Sequence, residues 1–267
     1  MVEISAKMVK ELRDRTDAGM MDCKKALTEA GGDMDQAVDF LRKAGITKAA
    51  KKSGRAATEG RVVVEITDGS AVAVEVLCET DFVAKSDAFM EYSQDLANRI
   101  LADYDGEQDL TGKLMDSETE KIGELVSKIG ENIQVRRAVR WESDGDFAAY
   151  LHMGGKIGVM IDVAGEGDDE LRNDICMHIA AFNPRFVDPS QIGDDVIEKE
   201  REIARAQVEG KPENIIEKIV DGKINKWYTE VCLVKQPWLR DDKKSLDKVA
   251  PNTQVRRFIR WQVGEEL

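Results

Sequence analysis

Two histidines and four cysteines are all the soft metal ligands that 267 residues contain. The cysteines, Cys23, Cys78, Cys176 and Cys232, lie far apart and form no CxxC pair, and His152 and His178 are isolated from each other. A structural zinc site needs four such ligands at short spacings, so no metal is expected. No Walker A segment, GxGxxG, GxSxG or HExxH is present, and no cofactor is implied. The nearest approach to a phosphate cradle is Gly154-Gly155-Lys156, which lies between two strand-like segments. A strand-to-helix junction would be needed to aim helix N–H groups at an anion. Apolar runs are too short for the roughly 20 residues that span a bilayer. The opening MVEISAK carries Glu3 and no apolar core, so no secretory signal is expected. The scattered cysteines then read as reduced thiols of a cytoplasmic protein. Basic charge is also short, with 39 Lys and Arg against 52 Asp and Glu for a net −13. Phosphate backbones and anionic membranes are both gripped by clustered cations, so neither is the expected partner.

What is present is a foldable core. Hydrophobic residues make up 42% and are spread along the chain, which argues against disorder. Charge is not spread evenly. Residues 1–60 hold 12 Lys and Arg against 10 Asp and Glu, a net +2, leaving −15 for the remainder. The stretch 48–60 is basic, rich in small residues and free of large apolar side chains, which suggests a linker.

Before it, the apolar spacing predicts three short helices. Ser5 is placed to cap the first, with Met8, Val9 and Leu12 as its stripe, and Asp17-Ala-Gly19 breaks it. Asp22 is expected to cap the second, which Gly31-Gly32 ends. Asp33 with Gln36 resembles a capping box opening the third, expected to close at Gly45. A bundle of about 40 residues is marginal alone, so docking on a partner could contribute to its order.

After residue 60 the period changes. Segments 60–67 and 70–78 flank Asp68-Gly69, a strong hairpin signal. Helices are expected over about 86–103 and 117–129, with polar turns between them, and then a strand over 134–141. The pattern recurs as strands 147–153 and 156–163 around Gly154-Gly155, helical character over 168–181, and a strand over 254–261. QVRRAVRW (134–141) and QVRRFIRW (254–261) agree at six of eight positions. The shared order of elements around them points to duplication. The fold class is α+β: an N-terminal three-helix domain over 1–55, then core halves 56–143 and 144–267, each a small antiparallel sheet with helices on one face. The second half carries an extra antiparallel helical hairpin at about 194–229. Gly210 suits the end of its first helix and Pro212 the first position of its second.

Several segments invite a functional reading beside a structural one. In Cys78-Glu-Thr-Asp-Phe-Val-Ala-Lys85, either Asp81 or Thr80 caps a helix while Phe82 packs inward, or Phe82 stands exposed as a wedge. Burying such a ring in a partner yields about 1.5–3 kcal/mol. Met20-Met21, at an inter-helix turn, fits a core and an adaptable contact surface equally well. His152 reads as a hydrogen-bonded turn residue and His178 as a core histidine. Each of the pairs Arg136-Arg137 and Arg256-Arg257 should send one side chain to either face of a strand, toward the protein's own carboxylates. The pairs Asp168-Asp169, Asp194-Asp195 and Asp241-Asp242 are expected at helix starts, where carboxylates complement the dipole.

LRDRTDAGMMDCKKAL (12–27) and ETDFVAK (79–85) resemble the two signature segments of the elongation factor Ts family. HMGGKIGV (152–159), MHIAA (177–181) and the ending RRFIRWQVGEEL (256–267) are similar to the same family, in order over the chain. The resemblance implies a guanine-nucleotide exchange factor, not an enzyme, whose partner is the translational GTPase elongation factor Tu. It implies an N-terminal domain of ubiquitin-associated-like fold, a core of two related halves and an inserted helical hairpin. By direct match, Thr80, Asp81, Phe82 and Val83 would dislodge Mg²⁺ from the GTPase. Lys10, Arg13, Met20, Met21 and Lys24 would hold a helix of the GTPase domain, with further contacts around Ile129, Gly130 and His152. Leu77 stands where the family usually has Asn, Asp17 where Gly is commoner, and the HMGG turn is one residue longer than in some relatives. The sequence stops at Leu267, short of a helical extension that some members carry, so contacts by that extension are not expected. The alternative is a non-enzymatic adaptor that uses the N-terminal domain and the hairpin. A metal-dependent hydrolase would require converging ligands that are not present.

Overall fold

A computed structural model describes residues 3–208 and 212–266. The first helix, α1 (Ala6–Thr16), starts where the Ser5 hydroxyl accepts the Met8 N–H at 3.3 Å, and ends on Asp17 in the left-handed region. Helix α2 (Met20–Glu29) starts from Gly19, so Asp22 is not its cap. Asp22 sits in the first turn instead, where its carboxylate meets the helix dipole and takes Lys48 at 2.7 Å. Asp33 caps α3 (Met34–Lys52) through the N–H groups of Asp35 and Gln36 at 3.0 and 2.9 Å. Leu12, Cys23, Ala26, Leu27 and Ala37 form the small core of these helices.

Gly45 does not stop α3. The helix runs on to Lys52, through much of the expected linker, because Gly45 marks the place where α3 crosses α6 (Leu114–Ile129). A Cβ on Gly45 would lie 2.7 Å from the Gly123 carbonyl oxygen, and one on Gly123 would lie 2.8 Å from the Ile46 nitrogen. Two missing side chains let the backbones touch. Arg42 pairs with Glu120 and Glu124, and Lys128 with Asp17, along the same crossing.

Strands β1 (Glu59–Thr67) and β2 (Ser70–Cys78) form the Asp68-Gly69 hairpin, with Gly69 at φ +75°. A single turn, α4 (Asp81–Ala84), leads to α5 (Asp87–Asp103). Inside the stretch expected to be turns lies a two-residue strand, β3 (Gln108–Asp109), and α6 begins three residues earlier than expected. With β4 (Gln134–Glu142) the sheet order is β1-β2-β4-β3. The second half repeats the plan. Strands β5 (Asp146–His152) and β6 (Ile157–Gly165) form a hairpin, followed by α7 (Asp169–Phe182) capped by Asp168. The inserted hairpin is α8 (Asp194–Ala206) and α9 (Glu213–Val231). Pro212 stands one residue earlier than expected, at the cap, and Gly210 lies outside the described residues. Then come β7 (Pro237–Trp238), β8 (Asp241–Ser245), α10 (Leu246–Val249) and β9 (Thr253–Gln262). Asp241-Asp242 therefore opens a strand, not a helix. The second sheet is β5-β6-β9.

Alternation sorts the strands into layers. On one face of the first sheet Val63, Val72, Val74 and Val76 pack under Phe89, Leu96 and Val126. On the far face of the second, Val159, Ile161 and Val163 pack under Ile175 and Ile179. Between the sheets lie Val62, Ala71, Ala73, Met160 and Trp261, mostly small, so the two sheets meet back to back with helices outside.

The duplication extends to a defect. Glu75 opposes Arg137 and Val76 opposes Val135, leaving Arg136 unpaired as a bulge. Asp162 opposes Arg257 and Val163 opposes Val255, leaving Arg256 as the matching bulge. A bulge cancels one step of alternation. The arginines of each pair therefore do not go to opposite faces. Arg136 and Arg137 both reach Glu75, at 3.3 and 2.5 Å, and Arg256 and Arg257 both reach Asp162, at 3.9 and 3.1 Å.

Candidate functional site

Strand β2 delivers the chain into the TDFV turn through buried residues. Leu77 is buried, and the Cys78 thiol, pushed up to about 12 by burial, donates to the Thr80 carbonyl at 3.2 Å. Thr80 is extended and its hydroxyl accepts the Val83 N–H at 3.4 Å, so Thr80 caps α4 and Asp81 does not. Asp81 sits in the first turn and pairs with Lys85 at 2.7 Å. That bond, with Lys156 nearby, holds its carboxyl below the ordinary range. Val83 and Ala84 make the inward contacts of the turn. Phe82 does not pack inward: it is 82% exposed. A turn of this length can bury only one side, and two apolar residues already occupy it.

Beneath the turn lies Glu131, which sequence reading passed over for its neighbours Ile129 and Gly130. Its carboxylate accepts the N–H groups of Glu79 and Thr80 at 3.1 and 3.0 Å and the Thr80 hydroxyl at 2.7 Å. No local pattern announces such a contact, because its partners are about 50 residues away in sequence. Ile129 is half-buried against the core of the first half, and Gly130 closes α6 at φ +88° with its carbonyl bonded to Lys52.

The β5–β6 turn comes to the same end of the molecule. The Val62 N–H donates to the Gly155 carbonyl at 2.8 Å, tying the turn to β1, and Lys156 pairs with Glu59. A Cβ on Gly155 would lie 2.8 Å from the Val62 carbonyl oxygen, and its φ is +95°, so only glycine permits this approach. His152 is exposed and shares a 3.0 Å hydrogen bond with the Tyr150 hydroxyl. Beside it Met153, at φ 50° and 73% exposed, is an apolar tip that sequence reading did not single out. Its signal was an apolar residue held in a Gly-Gly turn.

On the N-terminal helices Met20 and Met21 are 59% and 74% exposed at the start of α2. Lys10, Arg13 and Lys24 are exposed, and none has an ion-pair partner among the described residues. They lie on α1 and α2, whereas the TDFV turn lies on α4, and the α3–α6 crossing ties the N-terminal helices to the core.

His178 is fully buried. Its Nε2 lies 3.0 Å from Gln236 Oε1, and the ring stacks between Phe182 and Trp238 at 4.5 and 5.2 Å. It is a core residue, with its pKa lowered by burial. Among the described residues no group of three or more His, Cys, Asp or Glu could hold a metal ion, and no helix is long and apolar enough to cross a membrane. A cleft of about 440 Å³ lies between the N-terminal helices and α6, lined by Thr16, Val38, Leu41, Lys48 and Glu124 among others.

The prominent exposed features are apolar tips, Phe82 and Met153 on held turns and Met20-Met21 at the start of α2. Exposed apolar tips of this kind are features by which proteins meet other macromolecules. The chain belongs to the elongation factor Ts family: the family profile described as Elongation factor TS matches residues 79–265, starting at the residue before Thr80. It is a translation elongation factor.

Proposed function

We propose that this chain binds elongation factor Tu carrying GDP, promotes loss of Mg²⁺ and GDP, and so permits GTP to rebind. The observation that carries the reading is Phe82, a large apolar ring held in solvent on a capped turn with Asp81 beside it. Thr80, Asp81, Phe82 and Val83 act at the magnesium site of the GTPase. The Mg²⁺ belongs to the partner. Lys10, Arg13, Met20, Met21 and Lys24 grip the GTPase, and Ile129, Gly130 and His152 add contacts. In this division residues 1–55 are the grip, 56–143 carry the wedge and 144–267 complete the core, all in the cytoplasm. No nucleic acid is required.

The mechanism is linkage. A protein that binds the nucleotide-free GTPase better than the GDP form must weaken GDP by the same factor. Nanomolar GDP binding is about −12 kcal/mol. One ring supplies about 1.5–3 kcal/mol on burial, so the grip must provide the rest and Phe82 directs it.

The test is release of fluorescent GDP from elongation factor Tu by stopped flow. The protein accelerates release, and Phe82→Ala accelerates it at least about tenfold less while keeping its fold, since it removes an exposed side chain. An unchanged rate in the variant sinks the wedge assignment. No acceleration by the native chain sinks the exchange reading and leaves a binding adaptor.

A further inference from the structure

A wedge is only as effective as the backbone beneath it. Phe82 stands on a four-residue helix, too short to hold itself. Its supports converge on one side chain. Glu131 takes two backbone N–H groups on one oxygen and the Thr80 hydroxyl on the other. That hydroxyl in turn caps the turn through Val83. A half-buried carboxylate would ordinarily need a cation. Glu131 has no ion-pair partner among the described residues, and the three donors from residues 79–80 satisfy it instead. Anionic acceptors make the stronger hydrogen bonds, so the geometry of the turn is set mainly by this group.

The neighbouring residue extends the clamp. Asn132 is buried, its N–H donates to Glu79 Oε1 at 2.7 Å, and its side chain donates to the Arg55 carbonyl at 2.8 Å. Arg55 pairs with Glu79 at 3.3 Å. Segment 130–132 thus holds the start of the TDFV turn on one side and the end of the N-terminal helices on the other.

We propose that Glu131 is the positioning residue for Phe82, its carboxylate setting the backbone from which the ring acts in nucleotide release. This rests on the exchange reading given above. Glu131→Ala should lower the GDP-release rate at saturating factor about tenfold, while the half-saturating concentration moves less than about threefold. Glu131→Gln should recover most of the rate, because its carbonyl can accept the two N–H groups and its amide can donate to the Thr80 oxygen. Added to Phe82→Ala, Glu131→Ala should slow release no further, since the group it positions is gone. Thr80→Val, which keeps the shape and loses only the hydroxyl, should slow release in the same direction, and covers the case of an unstable alanine variant. A nitroxide on Phe82→Cys gives a readout independent of activity, the four native cysteines being buried. Its spectrum should be that of an ordered turn and become mobile with Glu131→Ala. Unchanged mobility, or equal slowing by Glu131→Ala with and without Phe82, would overturn the proposal. If the native chain fails to accelerate release, the exchange reading fails, and the nitroxide still decides whether Glu131 orders the turn.

Discussion

Arg137 lies over the indole of Trp261, 4.6 Å from the ring centroid. The same contact is made in reverse by Arg257 over Trp141, at 4.5 Å. These are the fourth and eighth residues of the two related octamers, so each half places its arginine on the tryptophan of the other. The duplicated segments are not merely similar. They clasp one another across the seam between the sheets, where cation–π contacts gain from poor solvation.

The seam rests on two buried carboxylates, Glu75 and Asp162. Glu75 neutralises Arg136 and Arg137, and the half-buried Glu265 closes the cluster on Arg137 at 2.6 Å. Removing the carboxylate leaves two guanidinium groups short of a counter-charge. Glu75→Ala should therefore destabilise the protein by about 3–5 kcal/mol. Urea denaturation would measure it, and a loss below about 1 kcal/mol would mean that water or Glu265 replaces the carboxylate.

At the α3–α6 crossing the prediction concerns volume. Gly45→Ala places a methyl 2.7 Å from the Gly123 carbonyl oxygen and 3.0 Å from its carbon, backbone atoms that cannot swing aside as a side chain can. It should cost about 1–3 kcal/mol although alanine favours helix. The loss should show as earlier proteolysis between the N-terminal helices and the core. Thermal melting equal to wild type would show that the helices slide apart freely.

That glycine also marks how far the sequence was legible. Caps, hairpin turns and the duplicated octamer are local, so Ser5, Asp33, Asp68-Gly69 and the longer strands of the two core sheets could be read from spacing, while the two-residue β3 could not. Gly45 was misread as a stop because its reason for being glycine is Gly123, nearly 80 residues on. The arginine pairs were assigned to the right kind of partner but the wrong faces, since a bulge is a property of two strands together. At the candidate site, the exposed methionines and the cap on Thr80 were open alternatives in the sequence. Deciding Phe82 required knowing that Val83 and Ala84 fill the inner side of the turn, and Glu131 was invisible for want of any local partner.

His178 makes stability depend on pH. Burial lowers its pKa from the ordinary 6.5, so the unfolded chain binds a proton that the folded chain resists. Stability is complete above about 6.5 and falls as pH drops below it toward the folded value. The loss approaches at most about 1.4 kcal/mol per pH unit. His178→Gln should lower stability at pH 7.5 and flatten the dependence between pH 6.5 and 5.5. Parallel urea midpoints for the two proteins over that window would show that other groups govern the slope.

The N-terminal grip is better tested by trimming side chains than by deletion. Removing residues 1–55 would strip α3 from α6 and unpair Lys128 and Glu124, so weakened binding would mix two causes. Met20 and Met21 project from the start of α2 into solvent and support none of these contacts. Replacing both by alanine should leave the unfolding free energy within about 0.5 kcal/mol. If they are anchors for elongation factor Tu, the dissociation constant of the nucleotide-free complex should rise at least about tenfold. Titration calorimetry reads both affinity and stoichiometry. Unchanged affinity would move the grip to Lys10, Arg13 and Lys24, whose contribution should then fall with added salt, as contacts between exposed charges do and apolar anchors do not.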